Sequence, residues 1–309
     1  MLPGAVNVKE IVVISGKGGT GKTSLVASFA ALARDAVLAD CDVDAADLHL
    51  IVAPEVRQTQ DFSGGKVARV IAAKCVGCGR CAELCRFEAI ALDGPGNDVV
   101  AKTYRIDPVA CEGCGVCARF CPVDAIALET AINGKWFISE TRHGPMVHAR
   151  LTPGAENSGK LVTLIRQEAK RIADERATGL VIVDGSPGVG CPVIASVTGA
   201  DFALVVTEPT LSGRHDLERV LELTAHFQIA TAVCINKFDI NPKISESIEQ
   251  TAACRQVPVL GRIPYDTAVT RAQLAGQSVA EHGNGPLRQQ IESLWQAVVE
   301  TAESRKKED

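Results

Sequence analysis

A chain of 309 residues, 46% apolar and 22% charged, has the composition of a globular protein, and that length suits one large α/β domain or a domain carrying a sizeable insertion. The formal charge is −5, and the one basic block, Arg305-Lys306-Lys307, is followed at once by Glu308 and Asp309, so the basic stripe of a nucleic-acid-binding protein is not there. No run reaches the roughly 18 apolar residues of a membrane span, and the start, MLPGAVNVKE, has neither a basic n-region nor an apolar h-region. A cytoplasmic protein is expected.

The first 50 residues read as strand, loop, helix, strand. IVVIS (11–15) is a short β-branched run, Gly16 to Gly21 punctuate a loop, and Lys22 to Ala33 places Leu25, Val26, Phe29, Ala30 and Ala33 on one helical face. AVLAD (36–40) follows as a second buried strand. The alternation returns late, with helices over 158–176, 192–199, 213–225, 242–254 and from Pro286. Strands over 180–184, 202–206, 229–235 and 258–263 lie between them. Apolar runs this continuous are covered on both faces, so the fold class is α/β with a mostly parallel, doubly wound sheet. The stretch 134–160 reads as strand and loop leading back into that sheet.

GKGGTGKT (16–23) satisfies G-x-x-x-x-G-K-[ST] directly after a strand and before a helix, the context in which the motif binds phosphate. Backbone N–H groups of Gly16, Lys17, Gly18, Gly19, Thr20, Gly21, Lys22, Thr23 and Ser24 form the expected cradle at a helix N-terminus. Lys22 is expected to bridge the β- and γ-phosphates, and the Thr23 hydroxyl to reach Mg²⁺. VIVDGSPGVG (181–190) is a second signature, with Asp184 at a strand end holding Mg²⁺ through water.

Lys17 makes the loop unusual. KGGTGKT resembles the deviant Walker A motif of the P-loop ATPases that include MinD, ParA, Mrp-type carriers and the nitrogenase iron protein. The resemblance implies ATP or ADP with Mg²⁺ as ligands, and a lysine, Lys17, that reaches across a dimer interface to the partner's nucleotide. It implies further that Asp40 sits near the Mg²⁺ water shell and that Asp42, in DCDVDAADL (40–48), orients or deprotonates the attacking water. Carboxylates at a strand's C-terminal end point into the ligand crevice, which suits both roles. Asp44 and Asp47 read as solvated residues at a helix start. By the same resemblance Gly188 is the switch glycine that senses the γ-phosphate. Asn236 in INKFD and Asp266 in IPYD lie on the adenine side.

Residues 62–130 have a different texture. CVGCGRCAELCRFEAIAL (75–92) recurs as CEGCGVCARFCPVDAIAL (111–128) at an offset of 36, two copies of one small unit. Twelve cysteines are many where disulfides are rare, and eight fall in these two C-x2-C-x2-C-x3-C runs. That is the pattern of a bacterial ferredoxin with two 4Fe–4S clusters, in which the fourth cysteine of each run serves the other cluster. One ligand set is therefore Cys75, Cys78, Cys81 and Cys121, and the other Cys111, Cys114, Cys117 and Cys85. Arg86 stands where proline would usually follow Cys85, and a guanidinium there is expected to raise that cluster's potential. From Cys75 to Glu129 there are five Lys/Arg and eight Asp/Glu, so a redox partner should offer positive charge. Of the other cysteines, Cys234 reads as a core residue, Cys191 as a thiol at a helix start, and Cys41 and Cys254 carry no signal.

The expected organisation is a P-loop ATPase domain over 1–61 and 131–309 with an inserted α+β ferredoxin-like domain over 62–130. The expected activity is ATP hydrolysis that drives switching of a dimer, with itself or a paralogue, coupled to electron transfer into a partner protein. Two alternatives stand beside it. One is an ATPase that assists assembly of a metal cluster in a client, although no CxxC pair lies outside the two runs. The other is a spatial organiser like MinD or ParA, although Leu287, Ile291, Leu294 and Val298 give the last helix core spacing rather than a membrane-binding face.

Overall fold

The chain opens with β1 (Lys9–Ser15), α1 (Lys22–Ala33), β2 (Val37–Asp40), α2 (Leu48–Val52) and β3 (Glu55–Phe62) in a computed structural model that describes residues 8–152 and 158–304. β4 (Gly65–Val70), α3 (Arg80–Leu84), β5 (Ile90–Gly94), β6 (Thr103–Ile106), α4 (Val116–Arg119) and β7 (Ile126–Ala131) follow. Next come β8 (Gly134–Thr141), β9 (Gly144–Leu151), α5 (Ser158–Arg176), β10 (Leu180–Pro187), α6 (Cys191–Val197), β11 (Phe202–Thr207) and α7 (Leu211–His226). β12 (Thr231–Asn236), α8 (Pro242–Cys254), β13 (Val259–Ile263), α9 (Thr267–Leu274), α10 (Val279–His282) and α11 (Pro286–Ser304) complete it. The readings of the first seven residues, of part of 134–160 and of the terminal basic block lie outside the described residues.

Two compact units emerge. The first comprises Met1–Gln60, Trp136–Arg150 and Ser158–Asp309; the second comprises Asp61–Lys135 and Leu151–Asn157. The sheet of the first runs in the order β13-β12-β11-β1-β10-β2-β9-β8-β3, and its pairs from β13 through β9 are parallel. β1 lies inside it and is buried on both faces, as its unbroken Ile-Val-Val-Ile run requires. α1 packs Leu25, Val26 and Phe29 on the sheet, with Phe29 tilted against Trp295 of α11 at 4.9 Å. On the opposite side Arg166 of α5 donates to the buried Glu10 carboxylate at 2.5 and 2.6 Å and to the carbonyls of Ala195 and Thr198. This pins α5 and α6 to one spot under β1.

The register decides where chemistry can gather. Val13 pairs with Asp184, and Asp184 pairs with Asp40. Three neighbouring strands thus end level, and their carboxyl ends open on one crevice.

The stretch read as strand and loop is a hairpin, β8 and β9, whose second strand joins the sheet parallel to β2 through Leu38↔Met146 and Ala39↔Val147. Met146 and Val147 are fully buried. A carbon added at Gly144, φ +125°, would sit 2.4 Å from the Ala36 carbonyl oxygen, so the turn needs glycine.

In the second unit β4 pairs antiparallel with β7, and β5 with β6. Each short helix starts after a left-handed glycine, Gly79 and Gly115. Among its described residues the buried apolar side chains are Phe62, Ala68, Ala89, Ile106 and Ala125, together with Cys75 and Cys117. That core is too small to hold a unit of this size without a further staple.

Gly113 tests how tightly the second repeat is wound. Its φ is +64° and an added carbon would lie 1.9 Å from the Lys66 carbonyl oxygen. Gly113→Ala is expected to destabilise the unit by at least about 2 kcal/mol, seen as a lowered thermal midpoint. Gly179→Ala, with no atom within 4 Å of the added carbon, should leave the midpoint in place.

Candidate nucleotide site and cysteine cavities

The loop after β1 enters α1 through Gly21, a left-handed residue (φ +89°) that leaves the helix without a side-chain cap. The first N–H groups of α1 consequently have no intrahelical acceptor and face the loop's concavity. A cavity of about 540 Å³ opens there, lined by Gly18 to Ser24, Asp42, Asp47, Leu50, Pro187 and Gln273, among others. Gly16 stands at the loop's start, and Ser24 accepts from Gln273 at 2.9 Å. Thr23 is half-buried at the cavity wall.

The Lys22 ammonium donates to Asp184 Oδ1 at 2.7 Å and to Asp42 Oδ2 at 3.4 Å. Burial works against its charge, but Asp184, Asp42 and Asp40 outweigh that and hold its pKa above the usual lysine value. Asp40 is fully buried; burial first, then the Asp184 charge, push it well above the usual carboxylate range against the pull of Lys22. Burial also raises Asp42, with Lys22 opposing and Asp184 adding. The Oδ2 atoms of Asp40 and Asp184 and the Thr20 hydroxyl are buried without a hydrogen-bond partner. Crowded carboxylates with orphaned oxygens suit a hydrated divalent cation, which would supply the missing positive charge. Asp44 and Asp47 are exposed, Asp47 at the start of α2.

Lys17 folds back on its own chain. Its ammonium pairs with Glu208 Oε1 at 2.7 Å and donates to Thr210 and Ser212 at 3.1 Å each. The other Glu208 oxygen pairs with Lys237 at 3.0 Å, and Lys237 donates to the Gly19 carbonyl. Burial pushes Glu208 up, yet the hydrogen bonds from Lys17 and Lys237 more than offset it, and its pKa lies below the usual range. Sequence reading missed Glu208. A lone acid between a strand and Pro209 carries no motif, and only the fold brings it to the loop.

Asn236 and Asp266 line a second cavity of about 250 Å³ with Pro264, Tyr265 and Val269. Asn236 also braces the loop, donating from Nδ2 to the Thr20 carbonyl at 2.7 Å and accepting from Lys237 N–H at 3.0 Å. Asp266 accepts from Ala268 N–H and caps α9. Asp239 holds the Tyr265 N–H. The Gly188 N–H donates to the Ser15 carbonyl at 2.8 Å, with φ +97°.

All twelve cysteines are free. Two small cavities of about 20 Å³ each lie among those of the second unit. Cys75, Cys78, Cys81 and Cys121 line one; Cys85, Cys111, Cys114 and Cys117 line the other. Among the described residues no three His, Cys, Asp or Glu converge as a site for a single metal ion. Arg86 is exposed and lines neither cavity, which corrects the expectation that it lies against the sulfurs. Cys191 is exposed at the start of α6, Cys254 is exposed, and Cys234 is buried. Cys41 is buried directly after Asp40, its N–H donating to the Asp184 carbonyl and its carbonyl accepting from Ser186.

The family profile described as the CobQ/CobB/MinD/ParA nucleotide binding domain matches residues 11–279. The uncharacterized protein MJ0578 of Methanocaldococcus jannaschii is 32% identical over 304 residues, 95% of this chain and 97% of that protein. Among solved structures, the septum site-determining protein MinD of Pyrococcus horikoshii, complexed with Mg-ADP, aligns at 15% identity and a TM-score of 0.57, covering 96% of this chain and 98% of that one. The MinC:MinD cell division complex of Aquifex aeolicus aligns at 17% identity and 0.56, covering 95% and 96%. At such identities the likeness establishes the fold. No helix among the described residues is long and apolar enough to cross a membrane.

Proposed function

From a chain that belongs to the CobQ/CobB/MinD/ParA nucleotide-binding family, we propose a Mg-ATP-hydrolysing switch whose inserted ferredoxin-like unit carries two 4Fe–4S clusters and passes electrons to a partner protein. The observation that carries the redox half is the sorting of eight cysteines into two cavities in the crossed sets that a two-cluster ferredoxin uses. The small core of that unit adds weight, since clusters would serve as its staples.

In the ATPase half, phosphates lie on the N–H groups of residues 16–24, and Lys22 leaves Asp184 and Asp42 for the β- and γ-phosphates. Asp184, Asp40 and the Thr23 hydroxyl are the groups that would hold Mg²⁺ there. When bound, Mg²⁺ would supply positive charge against that developing on the phosphate oxygens. Asp42, set free, accepts the proton of the attacking water. Asn236 and Asp266 flank the base. Lys17 leaves Glu208 to reach a partner's nucleotide in an ATP-dependent dimer.

Anaerobic purification tests the redox half. The full chain should be brown, carry about eight iron and eight sulfide per polypeptide, and show EPR signals on reduction that change with added Mg-ATP. Iron removal should lower the thermal midpoint of the inserted unit. A colourless, iron-free chain of unchanged stability would leave only the ATPase.

The dimer step makes Glu208 a brake. Glu208→Gln keeps the side chain's shape and removes the charge that holds Lys17. Half-exposed ion pairs are worth about 1 kcal/mol or less each, so dimerisation in Mg-ATP should occur at roughly three- to tenfold lower protein concentration, by sedimentation velocity.

A second reading is a spatial organiser of the MinD or ParA kind. The solved structures favour it over electron transfer, since the proteins of like fold include the MinC:MinD cell division complex. Co-sedimentation with vesicles in ATP separates the two, because an electron carrier stays in the supernatant. The assembly alternative is tested by whether iron leaves the chain when ATP and an apo-client are added; a relay keeps its iron.

A further inference from the structure

The internal repeat makes the second unit its own control. At the offset of 36, the two cysteine cavities match in size, about 20 Å³ each. Each has one cysteine 8% exposed (Cys75, Cys117), one exposed and two half-buried. Each receives backbone N–H groups on its sulfurs: Ala125 N–H to Cys121 Sγ at 3.2 Å and Ala82 N–H to Cys81 in the first, Ala68 N–H to Cys111 Sγ at 3.5 Å and Ala118 N–H to Cys117 in the second. Burial and hydrogen bonding to sulfur, two of the determinants of cluster potential, are therefore nearly balanced.

Charge is not balanced. Val76 and Arg80 line the first cavity, and the positions equivalent to them, Glu112 and Val116, line the second. A cation in one copy is valine in the other, and an anion in the second is valine in the first. The Arg80 guanidinium lies over the ring of Phe120, the residue before Cys121, at 5.9 Å. Tyr104 also lines that cavity.

We propose that the two sites have unequal reduction potentials, the Cys75/Cys78/Cys81/Cys121 site being the more oxidising, with Arg80 and Glu112 setting the difference. This rests on the reading of both cavities as 4Fe–4S sites. Adding an electron makes a site more negative, which Arg80 favours in one and Glu112 opposes in the other. Both side chains touch water, so each charge is screened and is assigned about a tenfold effect on the one-electron equilibrium, 59 mV. One electron delivered by a low-potential reductant then resides in the first site, and no bond or proton moves with it. The unit acquires a direction, with electrons entering beside Glu112 and collecting beside Arg80.

The test is an EPR-monitored dithionite titration of the anaerobic full-length chain after iron and sulfide analysis. The wild type should reduce in two steps. Arg80→Val should lower the upper couple by about 59 mV, a tenfold change in its one-electron equilibrium, Arg80→Lys should restore it, and Glu112→Val should raise the lower couple by a similar amount. Arg86→Pro should move neither. Both clusters present but titrating together, or couples unmoved in Arg80→Val and Glu112→Val alike, would overturn the proposal while leaving the cluster assignment intact. Less than one cluster's iron per chain would overturn the cluster assignment itself.

Discussion

Asp42→Ala is expected to bind Mg-ATP with little loss and to hydrolyse it about 10²–10⁴-fold more slowly, the range for losing a general base. The argument is positional. Of the three carboxylates at the crevice, Asp40 and Asp184 are almost fully buried and have an oxygen without a partner, which fits them to a cation's water shell. Asp42 is half-buried and lines the large cavity, and its carboxylate meets the Lys22 ammonium at 3.4 Å, a longer contact than the 2.7 Å from that ammonium to Asp184. Its pKa is raised, by burial first, and a carboxylate lifted from its usual range is a better proton acceptor near neutral pH. Turnover should therefore fall on the acid side as Asp42 protonates. Equilibrium dialysis for binding and phosphate release for turnover separate the two effects, and the slowed variant should accumulate as an ATP-bound dimer. Equal loss of binding and turnover would show that Asp42 holds ligand rather than handling a proton.

Cys85→Ala carries the second large effect. If the fourth cysteine of each run serves the opposite cluster, this variant should keep about four iron and show the same surviving EPR signal as Cys111→Ala. Cys81→Ala should match Cys121→Ala and show the other signal. Ligation within each run predicts the reverse grouping, Cys85 with Cys81. Because the unit buries few apolar side chains besides Cys75 and Cys117, either class of variant should also melt at lower temperature.

The sequence revealed most where the signal is local. α1 and α5 run over the residues the periodicity marked, and α8 does too, with Pro242 at its first turn and Asn241 capping it. The glycine and lysine positions of the phosphate loop follow from the backbone geometry that phosphate demands. Non-local features were harder. The β8–β9 hairpin takes its place from pairing with β2, about 100 residues earlier, and nothing within 134–151 announces a parallel neighbour. Asp266 was read toward the base, and the fold gives it a second task as the cap of α9, a helix too short to show a period. Arg86 stood out because it breaks a motif, whereas Arg80 and Glu112 sit at variable positions inside it. Knowing which side chain faces a cavity needed the backbone.

The Gly188 amide can serve one acceptor at a time. It now serves the Ser15 carbonyl, so under the proposed sensing role a γ-phosphate must win it from the chain's own backbone. A hydrogen bond of this kind is worth about 1 kcal/mol net, enough to set a threshold of roughly fivefold. The diphosphate product, lacking the competing oxygens, would let the amide return to Ser15. The molecule would thus carry its own reset, written in one peptide group.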